Sequence, residues 1–221
     1  MLPEQAHPLG QGDPAGVRPH DMTGAALQLL PSALGELLQG PTPAQVLLWS
    51  RLPQVPRINL ELLRYPSLRA NGHGPRQGLY VAIDRPLRYT MRLLERHHVP
   101  SGGLVFLDGI GGLAAEAASP TDPSTAASLG VTTPFELAEV LLQLKNRQHS
   151  DEGVDFVLVD NLTSLLNFLS VVSVSRVLSA LRQLQEGGRR SHLVVVASHH
   201  PIIDEMATRS FRPTFAIDGG N

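Results

Sequence analysis

Phe156-Val157-Leu158-Val159-Asp160 decides how this chain folds. Four apolar residues follow one another with no polar residue between them, the mark of a strand buried on both faces. A parallel sheet covered by helices on each side provides that environment. Four other runs have the same character: Gln45–Trp49, Leu79–Ile83, Leu104–Leu107 and Leu193–Ala197. A shorter strand is expected at Thr214–Ile217. Between the runs, apolar residues recur at helical spacing. Ile58, Leu60, Leu62 and Leu63 fall within Arg57–Arg64, where Pro53 and Pro56 delay the start. Leu87, Met91, Leu93 and Leu94 follow Pro86. Phe135, Leu137, Ala138, Leu141, Leu142 and Leu144 follow Pro134. A further helical stretch covers Leu162–Leu169, and Val174, Val177, Leu178, Leu181 and Leu184 extend the pattern to Gly187–Gly188. Repeated strand–helix alternation predicts an α/β, three-layer fold with a mostly parallel sheet flanked by helices.

The ends of the chain differ from its middle. Residues 1–22 are rich in Pro, Gly and His, which predicts a disordered tail. Residues 23–221 are expected to form a single α/β domain, with a helix within 23–40 and the core within 43–218. Thr23 is placed to cap that helix, Pro31 to kink or split it, and Gly40–Pro41 to end it. Gly111–Ala127, built from small and polar residues, reads as a surface loop.

Composition narrows the chemistry. The 221 residues contain no cysteine, which excludes disulfides, zinc–thiolate sites, iron–sulfur clusters and thiol nucleophiles. Net charge is −2, with no global basic footprint for nucleic acid. No apolar run approaches the ~20 residues that cross a bilayer, and the N-terminus lacks the basic start and apolar stretch of a secretory signal. A cytoplasmic protein with no membrane or nucleic-acid partner is expected.

In open α/β sheets, ligands bind beyond the carboxyl ends of the strands. Polar groups stand at four of these ends: Asp84, Asp108, Asp160, and His199 with His200. Such carboxylates and a histidine can bind a metal or exchange protons. Aspartate at a strand end more commonly accepts hydrogen bonds from the next turn or caps the next helix. Asn161 and Thr163 fit a capping cluster around Asp160. His200 precedes Pro201 and is held extended. His97, His98, His7, His20, His73, His149 and His192 show no ligand spacing and read as surface residues.

Several stretches together resemble the RecA-superfamily ATPases of the KaiC/RadA type, over residues 43–218. GLYVAIDRP (Gly78–Pro86) resembles their second core strand and its turn, and LVFLDGIGG (Leu104–Gly112) the strand after it. VTTPFELAEVLLQL (Val131–Leu144) is similar to the short strand, proline and helix before the Walker B strand. DFVLVDNLTSLL (Asp155–Leu166) looks like that strand and its sequel, and LVVVASHH (Leu193–His200) like the fifth strand. The resemblance implies a RecA-like (P-loop NTPase-type) fold, with Asp160 as the remnant of a magnesium site.

The phosphate-binding Walker A loop is missing. Ser50-Arg51-Leu52-Pro53-Gln54-Val55-Pro56-Arg57-Ile58-Asn59 stands in its place, with no glycine and two prolines. Phosphate binding there needs a nest of backbone N–H groups and a lysine. Lys145, the only lysine, lies far away between Leu144 and Asn146. Arg51 and Arg57 supply charge but no nest. The expectation is a catalytically degenerate RecA/KaiC-like domain, a pseudo-ATPase without ATP or magnesium. It would act as a regulatory or scaffolding subunit through a protein partner or homo-oligomer. The alternative is a nucleotide- or metal-binding enzyme using Asp84, Asp160 and His199, with Asp108, at the strand-end cleft.

Overall fold

The computed structural model describes residues 30–40, 42–68, 77–113, 127–147, 154–187 and 192–217. The expected tail, the Thr23 cap, and His7, His20, His73 and His149 lie outside them. Seven strands form one sheet: β1 Gln45–Ser50, β2 Gln77–Ala82, β3 Leu104–Asp108, β4 Ala127–Val131, β5 Val154–Val159, β6 His192–Ser198 and β7 Thr214–Ile217. Their order is β4-β3-β2-β5-β6-β1-β7, and every strand pair is parallel.

The helices are α1 Ser32–Gln39, α2 Val55–Leu68, α3 Leu87–Arg96, α4 Leu137–Arg147, α5 Val171–Gly187 and α6 Pro201–Ser210. They divide between the two faces, and the strand side chains divide with them. Successive residues of a strand point to opposite sides. Val46 and Leu48 therefore join α1, α2 and α3 in one core, while Leu47 and Trp49 join α4, α5 and α6 in the other. Phe156 and Leu158 alternate in the same way with Val157 and Val159. This explains the unbroken apolar runs: both faces of each central strand are covered, as the three-layer α/β expectation requires.

Local chemistry sets several boundaries. Pro31 stands immediately before α1, at its N-cap; the residues before Leu30, which it was expected to separate from this helix, lie outside those described. Pro56 lies in the first turn of α2, where its missing N–H has no intrahelical partner to lose. The helix therefore begins at Val55, two residues earlier than the prolines led us to expect. Leu162–Asn167 forms a 3₁₀ helix, and α5 follows it.

Two elements were not read from the sequence. One is α6, anchored by Ile203 and Ala207 and ending against Phe211. The other is most of β4, which begins at Ala127 and makes the edge of the sheet, in place of the expected end of a surface loop. Gly111–Leu113, at the other end of that expected loop, is a 3₁₀ turn.

Candidate functional site

A crevice forms in a parallel sheet where neighbouring strands send the chain to opposite faces. β2 and β5 are such neighbours: the chain leaves β2 for α3 on one face and β5 for α5 on the other. Asp160 lies at the end of β5, 2% exposed. Its Oδ1 accepts hydrogen bonds from the backbone N–H groups of Ile83 (2.7 Å), Asp84 (3.1 Å) and Asn161 (2.8 Å). The Tyr80 hydroxyl lies 3.3 Å from Oδ2. Asn59, from α2, donates its amide to the Asp160 carbonyl at 3.1 Å.

Burial pushes the Asp160 carboxyl from its ordinary 3.8 up to about 7, against the opposing pull of the Ile83 and Asp84 N–H groups. The nearby Asp84 carboxylate raises it further. Tyr80 is also raised, by burial first and then by the Asp160 charge. The site is therefore a buried carboxyl raised well above the ordinary carboxylate range and held by N–H groups at the ends of β2 and β5.

Asp84 sits above it, half-buried. Its Oδ1 accepts from the Asn161 side-chain amide at 3.0 Å and from the Ser164 hydroxyl, while Oδ2 lies 3.4 Å from Arg85. Asn161 is fully buried, and its side-chain Oδ1 accepts from the Ser198 N–H at 3.3 Å. Three strand ends, β2, β5 and β6, are thus tied together by side chains of two residues. Beneath them Asn59, Tyr80, Thr90 and Asp160 line a cavity of ≈ 20 Å³, space for about one water. The Asn59 Oδ1 is buried without a hydrogen-bond partner.

The other predicted residues are elsewhere. Asp108 is buried and accepts from the N–H groups of Leu87 (2.9 Å), Ile110 (3.2 Å) and Gly111 (2.6 Å), joining the end of β3 to the start of α3. Capping describes what it does. A Cβ on Gly111 would meet the Asp108 Oδ2 at 2.5 Å and Val131 Cγ1 at 2.8 Å. Gly111→Ala is accordingly expected to lower stability by about 1–3 kcal/mol, read as a lower denaturant midpoint; an unchanged midpoint would contradict this role.

His199 is exposed, stacked on Trp49 with ring centroids 5.1 Å apart, and its Nδ1 lies 3.6 Å from Asp204 Oδ2. His200 is extended, as expected before Pro201, and occupies the N-cap position of α6, where its N–H donates to Asp204 Oδ1 at 3.1 Å. His192, expected at the surface, is 4% exposed at the start of β6. Among the described residues, no three side chains of His, Asp or Glu converge to hold a metal ion. Asp84, Asp108, Asp160 and His199 thus do not form one ligand set.

The turn after β1 is compact. Only Arg51, Leu52, Pro53 and Gln54 separate Ser50 from the first residue of α2, and Leu52–Gln54 is a single 3₁₀ turn. The Gln54 N–H is turned back onto the Arg51 carbonyl at 2.9 Å. Arg51 and Arg57 are exposed.

No protein-family model matches the chain, and no curated protein does. Among solved structures, it is similar to a KaiC-like protein of the hyperthermophilic archaeon Pyrococcus horikoshii, at 11% identity and a TM-score of 0.44. The match covers 71% of this chain and 61% of that one, so the chain spans about six-tenths of that protein. It is also similar to an uncharacterized protein from Pyrococcus horikoshii in complex with an unknown peptide. There the identity is 12%, the TM-score 0.49, and the coverage 76% of this chain and 74% of that one.

Proposed function

We propose that this chain is a RecA/KaiC-like domain that has lost triphosphate chemistry and works as a regulatory or scaffolding subunit through protein association. The observation that carries the reading is the turn from Ser50 to Val55. It has four intervening residues, no glycine and a proline at 53, and Pro56 follows in the first turn of α2. An anion site at a helix start uses free N–H groups pointing outward. Pro53 and Pro56 have none, and Gln54 spends its own on Arg51.

The carboxylate that would serve a magnesium-bound water supports the same reading. Asp160 is buried and engaged by three N–H groups and the Tyr80 hydroxyl. A group used in that way organises the sheet rather than a ligand. With no nucleotide chemistry to supply, the domain contributes surface.

Phosphate release from ATP–magnesium tests the proposal. Wild type and Asp160→Asn are expected to show the same background. Turnover by the wild type that Asp160→Asn abolishes would replace this reading with the nucleotide-binding alternative on Asp84, Asp160 and His199.

A further inference from the structure

The described surface carries two patches of opposite charge on opposite faces of the sheet. The first is on α3. Arg85, Arg88, Arg92 and Arg96 are all exposed and recur at i, i+3, i+7 and i+11, along one side of the helix and its approach. At 1.5 Å per residue the line is roughly 16 Å long. Arg85 is paired with Asp84, but no ion pair joins Arg88, Arg92 or Arg96 to an acid among the described residues. Beside them Tyr89 is 48% exposed, with the Arg88 guanidinium 5.7 Å from its ring centre.

The second patch lies where edge strand β4 meets α4. A groove of ≈ 430 Å³ is lined there by Leu107, Val131, Thr132, Glu136, Glu139 and Val140. Val131 is 59% exposed, and neighbouring Phe135 is 68% exposed. Glu139 is exposed and in no ion pair among the described residues; Glu136 accepts one bond, from the Thr133 hydroxyl. The groove therefore combines apolar Leu107, Val131 and Val140 with the carboxylates of Glu136 and Glu139. The arginine stripe is the converse, a charged line with an aromatic ring beside it.

We infer that these patches are the two halves of one interface: the α3 stripe and Tyr89 of one copy dock into the β4–α4 groove of the next. This rests on the association reading above and names the partner as a second copy of this chain. Tyr and Arg are the side chains that most often anchor protein interfaces, and Glu136 and Glu139 supply the complementary charge. α3 and α4 cover opposite faces of the sheet. A contact between such different surfaces is heterologous, so each copy keeps one half free and assembly continues into a chain or closes into a ring.

Sedimentation of the full chain over a range from about 10 μM to about 1 mM, where weak interfaces lie, tests this. Wild type is expected to exceed a dimer as concentration rises and to dissociate near 1 M salt, where charges are screened beyond about 3 Å. One variant carries Arg88→Glu and Arg92→Glu; another carries Phe135→Ser and Glu139→Gln. Each is expected to stay monomeric alone, with a melting temperature near wild type, because these positions are exposed. Mixed together they are expected to form a one-to-one dimer and stop, since the first retains the groove and the second the stripe.

A wild type that is monomeric throughout overturns the inference. So do variants that assemble like wild type, and so does a mixture that stays monomeric. A monomer that uses the stripe to bind a single-stranded oligonucleotide overturns it as well. Phosphate release, which decides the underlying association reading, is measured separately and is unaffected by any of these results.

Discussion

Asp160→Ala is expected to lower folding stability by about 3–5 kcal/mol, whereas Asp160→Asn should stay within about 1 kcal/mol of wild type in acid, where the carboxyl is protonated, and should not fall below it at neutral pH. Alanine leaves the N–H groups of Ile83, Asp84 and Asn161, and the Tyr80 hydroxyl, without their acceptor. Each lies at or near the buried ends of β2 and β5. Asparagine keeps an oxygen where Oδ1 stands and removes the charge that burial disfavours. The two variants also differ in pH dependence.

The folded carboxyl titrates at about 7 rather than 3.8, so between those values the native state holds a proton that the unfolded chain has released. The contribution is fully present below pH 3.8, falls as pH rises, and levels off above about 7. Within that window the slope is about 1.4 kcal/mol per pH unit for one proton. Denaturant midpoints at pH 5 and pH 8 read this directly. The Asn variant should gain on wild type as pH rises; a difference that does not move with pH would contradict the buried-carboxyl account.

Leu34→Ala should cost about 2–5 kcal/mol. Leu34 is fully buried and Leu38 nearly so, in the same core as Val46, Leu48 and Ile58. The leucines of α1 are thus committed to the domain's own sheet and are not free to dock on a partner. Leu37, half-buried on the same helix, should cost less when cut to alanine. If Leu34→Ala left the unfolding midpoint where it was, α1 would be a detachable element and the association surface would have to be sought there.

The strands were legible because burial on both faces leaves no polar alternation to interrupt them; all five long runs and Thr214–Ile217 appear where the residues place them. β4 was obscured by its composition: Ser128 and Gly130 interrupt the apolar residues of this edge strand. α6 was obscured because its buried face is thin, resting on Ile203 and Ala207. At the crevice, Asp160 and Asp84 could be read from strand-end position alone. Asn59, Tyr80 and Ser164 could not, because their partners are distant in sequence: 101 residues separate Asn59 from Asp160, and 80 separate Ser164 from Asp84. His192 carried no signal of burial, since a histidine before an apolar run also fits an exposed strand start.

The proposed function depends on a turn after β1 in which Pro53 and Pro56 have no N–H and the Gln54 N–H is bonded to Arg51. Calorimetric titration of the wild-type chain with ATP–magnesium measures this most directly. The account predicts no saturable heat up to ligand concentrations near 1 mM, that is, binding weaker than about −4 kcal/mol. Micromolar binding, about −8 kcal/mol, that Asp160→Asn weakens would contradict it.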